Sequence, residues 1–301
     1  MSIVYLGTSD FAVTVLERLS QTSHRPALVI TRSDRPRGRG RRLESPPVAV
    51  AARAQGLDVL APESVNSPQV HDRIADIAPA AVCVCEFGAL IGEPLLSDQL
   101  LLNVHPSLLP RWRGAAPIER AIDAGDESTG VSIIRLVEEL DAGPICLQRS
   151  EPIHPDDDYG SLSARLATIG GDLLVQALDT EPRFTPQPTE GVTYAEKIGP
   201  ADRLLDPKAP APALERRVRA LAPHIGAQLV LPDGQPLGVR RAAALESSGV
   251  AAGELVARER RLLVGCAEGT LELLEIQPAG GRAMDAAAYL RGRGAGLAKA
   301  A

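Results

Sequence analysis

Aromatic residues are scarce in this chain, making up 3% of its 301 residues with a single tryptophan among them. The interior must therefore be packed by Ala, Val, Leu and Ile. No apolar run approaches the roughly 18 residues a membrane helix requires, and Met1 to Tyr5 lacks a basic segment leading into an apolar one. The expectation is a cytoplasmic protein with no membrane partner. Four cysteines, Cys83, Cys85, Cys146 and Cys266, include no C-x-x-C pair, so the usual spacing of a zinc site or a disulfide framework is missing. G-x-G-x-x-G, G-x-x-x-x-G-K-[ST] and G-x-S-x-G do not occur either. Nicotinamide chemistry, nucleotide hydrolysis and a serine hydrolase all lose their best support.

What is present is globular: 45% hydrophobic and 23% charged residues, enough apolar material for a core and too little charge for disorder. The length favours two domains. A net charge of −6 argues against binding nucleic acid through the whole surface, but its distribution is uneven. Residues 1–205 carry a net −9 and residues 206–301 a net +3, as two domains with different partners would.

The first half alternates β-rich runs with amphipathic, helix-length segments, the pattern of βαβ units and a parallel sheet. Strands are expected at 3–7, 27–30, 58–60, 80–85 and 100–104, with helices from Ser9 or Asp10, at 47–55 and at 70–77. Further strands at 131–137 and 145–153 precede a long helix over 159–178. Seven prolines between Glu181 and Pro212 then mark a stiff, irregular crossing. Beyond it a basic helix at about 212–221 leads into short strands with turns at Pro232-Asp233-Gly234 and Glu268-Gly269, the spacing of a small barrel or a sandwich.

The densest chemical information is Asn103-Val104-His105-Pro106-Ser107-Leu108-Leu109-Pro110-Arg111-Trp112-Arg113-Gly114, directly after a run of leucines. Residues two apart in a strand share a face, so Asn103 and His105 converge at its end, just past the carboxyl edge where such sheets carry function. An amide donor and an imidazole there suit stabilising an oxyanion and moving a proton. An isolated N-x-H is more often a capped strand end. Asp141, in Leu140-Asp141-Ala142-Gly143-Pro144, also follows a β-like run and precedes a turn, so it can occupy the same edge and orient the imidazole.

Asn103, His105, the Ser107-Leu108-Leu109-Pro110 turn, Arg113 to Ile118, Gly130-Val131 and Leu140 to Pro144, together with Gly7 to Ala12 and the arginine-rich Asp34 to Arg42 followed by Ser45-Pro46, resemble the 10-formyltetrahydrofolate-dependent formyltransferase family. The resemblance spans most of residues 1–155. Thr193 to Ile198, Arg219 to Pro223 and Gly226-Ala227 resemble its linker and C-terminal domain.

The resemblance implies an α/β fold. A Rossmann-like, mostly parallel formyltransferase domain over 1–189 is followed by a linker over 190–205 and a small OB-like β-barrel over 206–301. It implies that an amine attacks the formyl carbon of 10-formyltetrahydrofolate, with Asn103, His105 and Asp141 catalytic and no metal. The folate would lie against Ser107, Leu108, Leu109 and Pro110, and against Phe87, Gly88, Leu90 and Ile91 in the loop after the fourth strand. The backbone of about Val137 to Leu140 would help to hold its pterin ring.

The acceptor implied is methionine esterified to initiator tRNA. Arg37, Arg39, Arg41 and Arg42, interleaved with Gly38 and Gly40, supply the cationic loop that acceptor-stem phosphates need. An amino-sugar nucleotide is the alternative acceptor. A monomer is expected, because no self-associating apolar stripe stands out. The chain departs from the family pattern at Cys85 to Gly88, at Asp206-Pro207-Lys208 and at His224-Ile225, which touches the folate pocket and the tRNA footing rather than Asn103, His105 and Asp141.

Overall fold

The computed structural model describes residues 2–37, 42–231, 233–246 and 249–297. In chain order the elements are β1 (Ile3–Gly7), α1 (Asp10–Ser20), β2 (Leu28–Ile30), β3 (Arg35–Arg37), β4 (Arg42–Glu44), α2 (Pro47–Ala54), β5 (Val59–Leu60), α3 (Pro68–Ile77) and β6 (Ala81–Cys85). There follow α4 (Leu95–Asp98), β7 (Leu101–His105), β8 (Arg113–Gly114), α5 (Pro117–Ala124), β9 (Ser128–Arg135), β10 (Ile145–Pro152) and α6 (Tyr159–Asp179). Next come β11 (Tyr194–Ala195), a 3-10 turn (Ala201–Arg203), α7 (Ala211–Leu221), β12 (Ala227–Val230), β13 (Pro236–Leu245), β14 (Leu255–Arg258), β15 (Arg261–Gly265), β16 (Thr270–Pro278), β17 (Met284–Asp285) and α8 (Ala286–Leu297).

The central sheet has the order β10-β9-β7-β6-β1-β2-β5. From β5 to β7 it is parallel, with Val4 opposite both Leu28 and Val82, and Val84 opposite Asn103. Every residue of β1 and β6 is buried, which explains why these strands read as unbroken apolar runs: both faces are covered. The Ser9 side chain caps α1 by accepting from the Ala12 amide at 3.2 Å, as the S-D pair after the first strand predicts. The core beneath β1, β2 and β6 is Val, Leu and Ile with Phe87, in keeping with the scarcity of aromatics.

β9 breaks the parallel pattern. It runs antiparallel to β7, pairing His105 with Ser132 and Leu102 with Arg135, so its carboxyl end lies beside the start of β7.

Compactness groups the chain out of linear order. One unit holds 1–114, 129–152 and 163–194; the other holds 115–128, 153–162 and 195–301. In the second unit, antiparallel strands run β12-β13-β16-β15-β14, with β17 pairing β16. Register shifts near Arg241 bend the long β13. Side chains from α7, the strands and α8 share one apolar core.

Charges stitch α5 into this second unit. Arg217 forks onto Asp123 at 3.1 and 2.9 Å, and that bond raises its pKa. Arg120 reaches Asp202 at 2.9 Å, holding that carboxyl below its usual range. His224 contacts Glu119 at 3.0 Å and stacks on Tyr159, ring centroids 3.7 Å apart. His224 departs from the family pattern, and here it does two jobs, as an aromatic surface and as a partner for a buried carboxylate.

The covered sheet makes a chemical prediction. Burial pushes the Cys83 thiol up to about 12 and raises Cys85 as well, so at pH 8 native protein should leave both unalkylated while half-buried Cys146 reacts, and urea should expose all four. An unfolded thiol releases its proton near its ordinary 9.0 while native Cys83 keeps it to about 12, so stability should fall as pH rises through that window. Rapid native labelling of Cys83 would show that the sheet is not closed over it.

Candidate active site

β7 delivers Asn103 and His105 to one side of its end. Asn103 is half-buried, and the His105 side chain is only 5% exposed. The ring is anchored by Nε2, 2.9 Å from the Trp112 carbonyl. A carbonyl only accepts, so Nε2 carries the proton and a neutral ring presents the Nδ1 lone pair on its other side. There the Asp141 carboxylate lies 3.6 Å from Nδ1, its side chain 11% exposed. That distance is long for a hydrogen bond and becomes an ion pair when the ring is charged. The same carboxylate oxygen accepts from the Gly114 amide at 2.9 Å.

Asp141 reaches His105 by an unexpected route. Because β9 is antiparallel to β7, its end points away from His105, and the loop over 136–144 must return. Asp141 sits on that loop in the left-handed region, φ 47°. Gly143 is obligatory beside it, since a Cβ there would lie 1.7 Å from the Arg135 carbonyl.

The Ser107–Pro110 turn is held by residues that motif reading did not single out. The Ser132 hydroxyl donates to the Ser107 carbonyl at 2.6 Å and accepts from the Leu109 amide at 3.2 Å. Gln148 donates to Ser132 Oγ at 2.8 Å and to the Leu109 carbonyl at 2.9 Å. Ser107 itself donates to the Arg111 carbonyl at 2.6 Å. The available signal was a lone serine inside the apolar run of β9, since a fully buried hydroxyl needs partners. Gly130 lets the turn approach, because a Cβ would lie 2.6 Å from Leu108 and 2.1 Å from the Arg149 carbonyl.

The loop after β6 is pinned similarly. Thr8 donates to the Phe87 carbonyl at 2.8 Å, Arg32 bonds the Gly88 carbonyl, and Asn66 donates to the Leu90 carbonyl at 3.1 Å. Phe87 is buried, Ile91 packs on the core, and Leu90 is 85% exposed. β6 and β7 are neighbours in parallel, so this loop and the Ser107–Pro110 turn leave the same edge of the sheet. Val137 and Leu140 also expose apolar side chains. Of the arginines put forward for tRNA, Arg39 and Arg41 lie outside the described residues; Arg37 and Arg42 pair in register in the β3–β4 hairpin.

A buried imidazole facing a carboxylate, next to rigid turns at the carboxyl edge of a parallel sheet, is equipped for acyl-group transfer with proton movement. The formyl transferase family profile matches residues 1–178 and its C-terminal domain profile residues 197–294; the chain belongs to this family of formyl-transferring enzymes. In sequence it is similar to the methionyl-tRNA formyltransferase of Halorhodospira halophila, 45% identical over 97% of this chain and 96% of that one. Solved structures that share the fold include two formyltransferases. Methionyl-tRNA formyltransferase from Clostridium thermocellum has a TM-score of 0.58 at 14% identity, covering 81% of this chain and 93% of that one. An N-formyltransferase from Helicobacter canadensis, in complex with folinic acid and dTDP-3-aminofucose, scores 0.64 at 16% identity, covering 90% and 98%.

Replacing Ser132 by Ala should strand the Ser107 carbonyl and Leu109 amide in a buried site and cost about 1–3 kcal/mol in urea unfolding. A change within about 0.3 kcal/mol would mean that the turn holds itself without the hydroxyl.

Proposed function

We propose that this enzyme transfers the formyl group of 10-formyltetrahydrofolate to the α-amino group of methionine on initiator tRNA, a step of translation initiation in the cytoplasm, acting as a monomer and without a metal. The observation that carries the chemistry is the buried His105–Asp141 pair beside Asn103 and the pinned turn. The acceptor is supported by the full-length similarity to a methionyl-tRNA formyltransferase. Amino-sugar transfer has only fold-level neighbours behind it.

The neutral amine attacks the formyl carbon, forming the C–N bond and a tetrahedral oxyanion. Asn103 stabilises that oxyanion from one side. His105 keeps Nε2–H on the Trp112 carbonyl, so its Nδ1 lone pair, opposite Asp141, accepts from that carboxyl once it has taken up a proton. Asp141 takes the proton lost by the amine and delivers it to N10 as the C–N10 bond breaks. Ser107 to Pro110 and Phe87, Gly88, Leu90 and Ile91 hold the folate, with the exposed backbone and side chains near Val137 and Leu140 against its pterin ring.

Residues 1–189 carry the transfer chemistry, 190–205 link, and the net-positive 206–301 supplies tRNA footing together with Arg37, Arg39, Arg41 and Arg42. A cut at 189 would remove the partners of Glu119, Arg120 and Asp123, so tests belong on the full chain.

Formyl transfer should be strong to charged initiator tRNA and weak to charged elongator tRNA and to an amino-sugar nucleotide. Transfer to the sugar alone would overturn the acceptor. His105→Ala or Asp141→Asn should lower kcat by about 10²- to 10⁴-fold; normal turnover would remove that residue from the chemistry. Neutralising Arg39, Arg41 and Arg42 should weaken tRNA binding and lower its salt slope by up to about one per lost phosphate contact, and an unchanged slope would make the loop solvated surface.

A further inference from the structure

Between α6 and β11 the chain ties together the loops that carry both members of the histidine–aspartate pair. The Gln187 amide donates to the Asp141 carbonyl at 2.7 Å and to the Gly143 carbonyl at 2.8 Å. Its oxygen accepts Nε and Nη2 of Arg113 at 3.0 and 2.8 Å. Both ends of the amide are therefore fully used. The Arg113 guanidinium, 9% exposed, has one further ion pair, 3.2 Å from Glu139 on the same loop. A few residues on, the Thr193 hydroxyl accepts from the Trp112 amide at 2.9 Å, steadying the residue whose carbonyl holds His105.

We infer that Gln187 is a positioning residue for the transfer reaction, holding the Asp141 loop so that the carboxylate stays opposite Nδ1 of His105. The inference rests on the formyl-transfer reading above. Asp141 adopts a left-handed backbone that a non-glycine residue keeps only when its surroundings impose it, and the two carbonyls that Gln187 grips belong to that strained residue and to Gly143 just beyond it. The neighbouring Glu138, Glu139 and Leu140 are exposed, so packing does little to hold the loop. A glutamine is specifically required. It offers two donors to carbonyls and an acceptor fork to arginine in one planar group, whereas glutamate keeps the pairing with Arg113 and turns a repelling oxygen towards the carbonyls.

The test compares purified full-length wild type, Gln187→Glu and Gln187→Met in formyl transfer from 10-formyltetrahydrofolate to methionyl initiator tRNA. Steady-state constants are read across pH, and Tm is recorded beside them. The expected result is a kcat lower by about 10- to 100-fold, a folate KM within about twofold of wild type, and a displaced pH profile of kcat, because the distance between His105 and Asp141 is altered. Gln187→Met, which removes donors and acceptor at nearly constant size, carries the same readings should Gln187→Glu fail to fold. Wild-type kcat and pH profile in either folded variant would overturn the inference. So would a fall in kcat with an unmoved pH profile, or a loss confined to folate KM, which would make Gln187 plain scaffold. If wild type itself transfers no formyl group to this acceptor, the functional reading falls first and the inference with it.

Discussion

A polar group taken out of water must find its partners inside the protein, and the carboxyl end of β7 is organised around that requirement. His105 leans on a carbonyl through Nε2 and faces a carboxylate through Nδ1. Ser132, on the strand opposite, spends its hydroxyl on the turn that follows His105. Arg113 finds Gln187, and Gln187 finds the loop of Asp141. Removing one member leaves another unpaired in a site of low effective dielectric, where the cost is greatest. In the reaction proposed above the same shielding makes the pair useful, because charge that develops beside His105 meets fixed dipoles rather than reorganising water.

The second unit answers the same requirement with ion pairs. α5 presents Glu119, Arg120 and Asp123, and each meets a partner from the chain after residue 200: His224, Asp202 and Arg217. α5 follows β7 and β8 in sequence yet belongs by compactness with the C-terminal strands. The histidine at 224 fits this arrangement, since it supplies both a ring for Tyr159 and a nitrogen for Glu119.

The fold alone does not choose an acceptor. Solved structures of comparable TM-score include a methionyl-tRNA formyltransferase and an N-formyltransferase in complex with dTDP-3-aminofucose, as expected when one scaffold hosts several substrates. What favours tRNA is 45% identity to a methionyl-tRNA formyltransferase over 97% of the chain, C-terminal region included.

The sequence by itself determined the parallel half of the sheet, the long α6, the helix and short strands beyond residue 210, and the placement of Asn103 and His105 at a strand end. Those features follow from local pattern: apolar runs covered on both faces, helical spacing, and a period of two along a strand. It also pointed to Asp141, through an ordered motif. Only the tertiary structure decided how Asp141 arrives, because whether β9 pairs parallel or antiparallel with β7 depends on the sheet and not on β9's own residues. Only the tertiary structure, likewise, found Ser132, Gln148, Gln187 and the Trp112 carbonyl. Their roles are hydrogen bonds between positions as far as 74 residues apart, as between Gln187 and Arg113, and a backbone carbonyl carries no side-chain signature at all. A local pattern reports which groups must be satisfied; packing in three dimensions decides by whom.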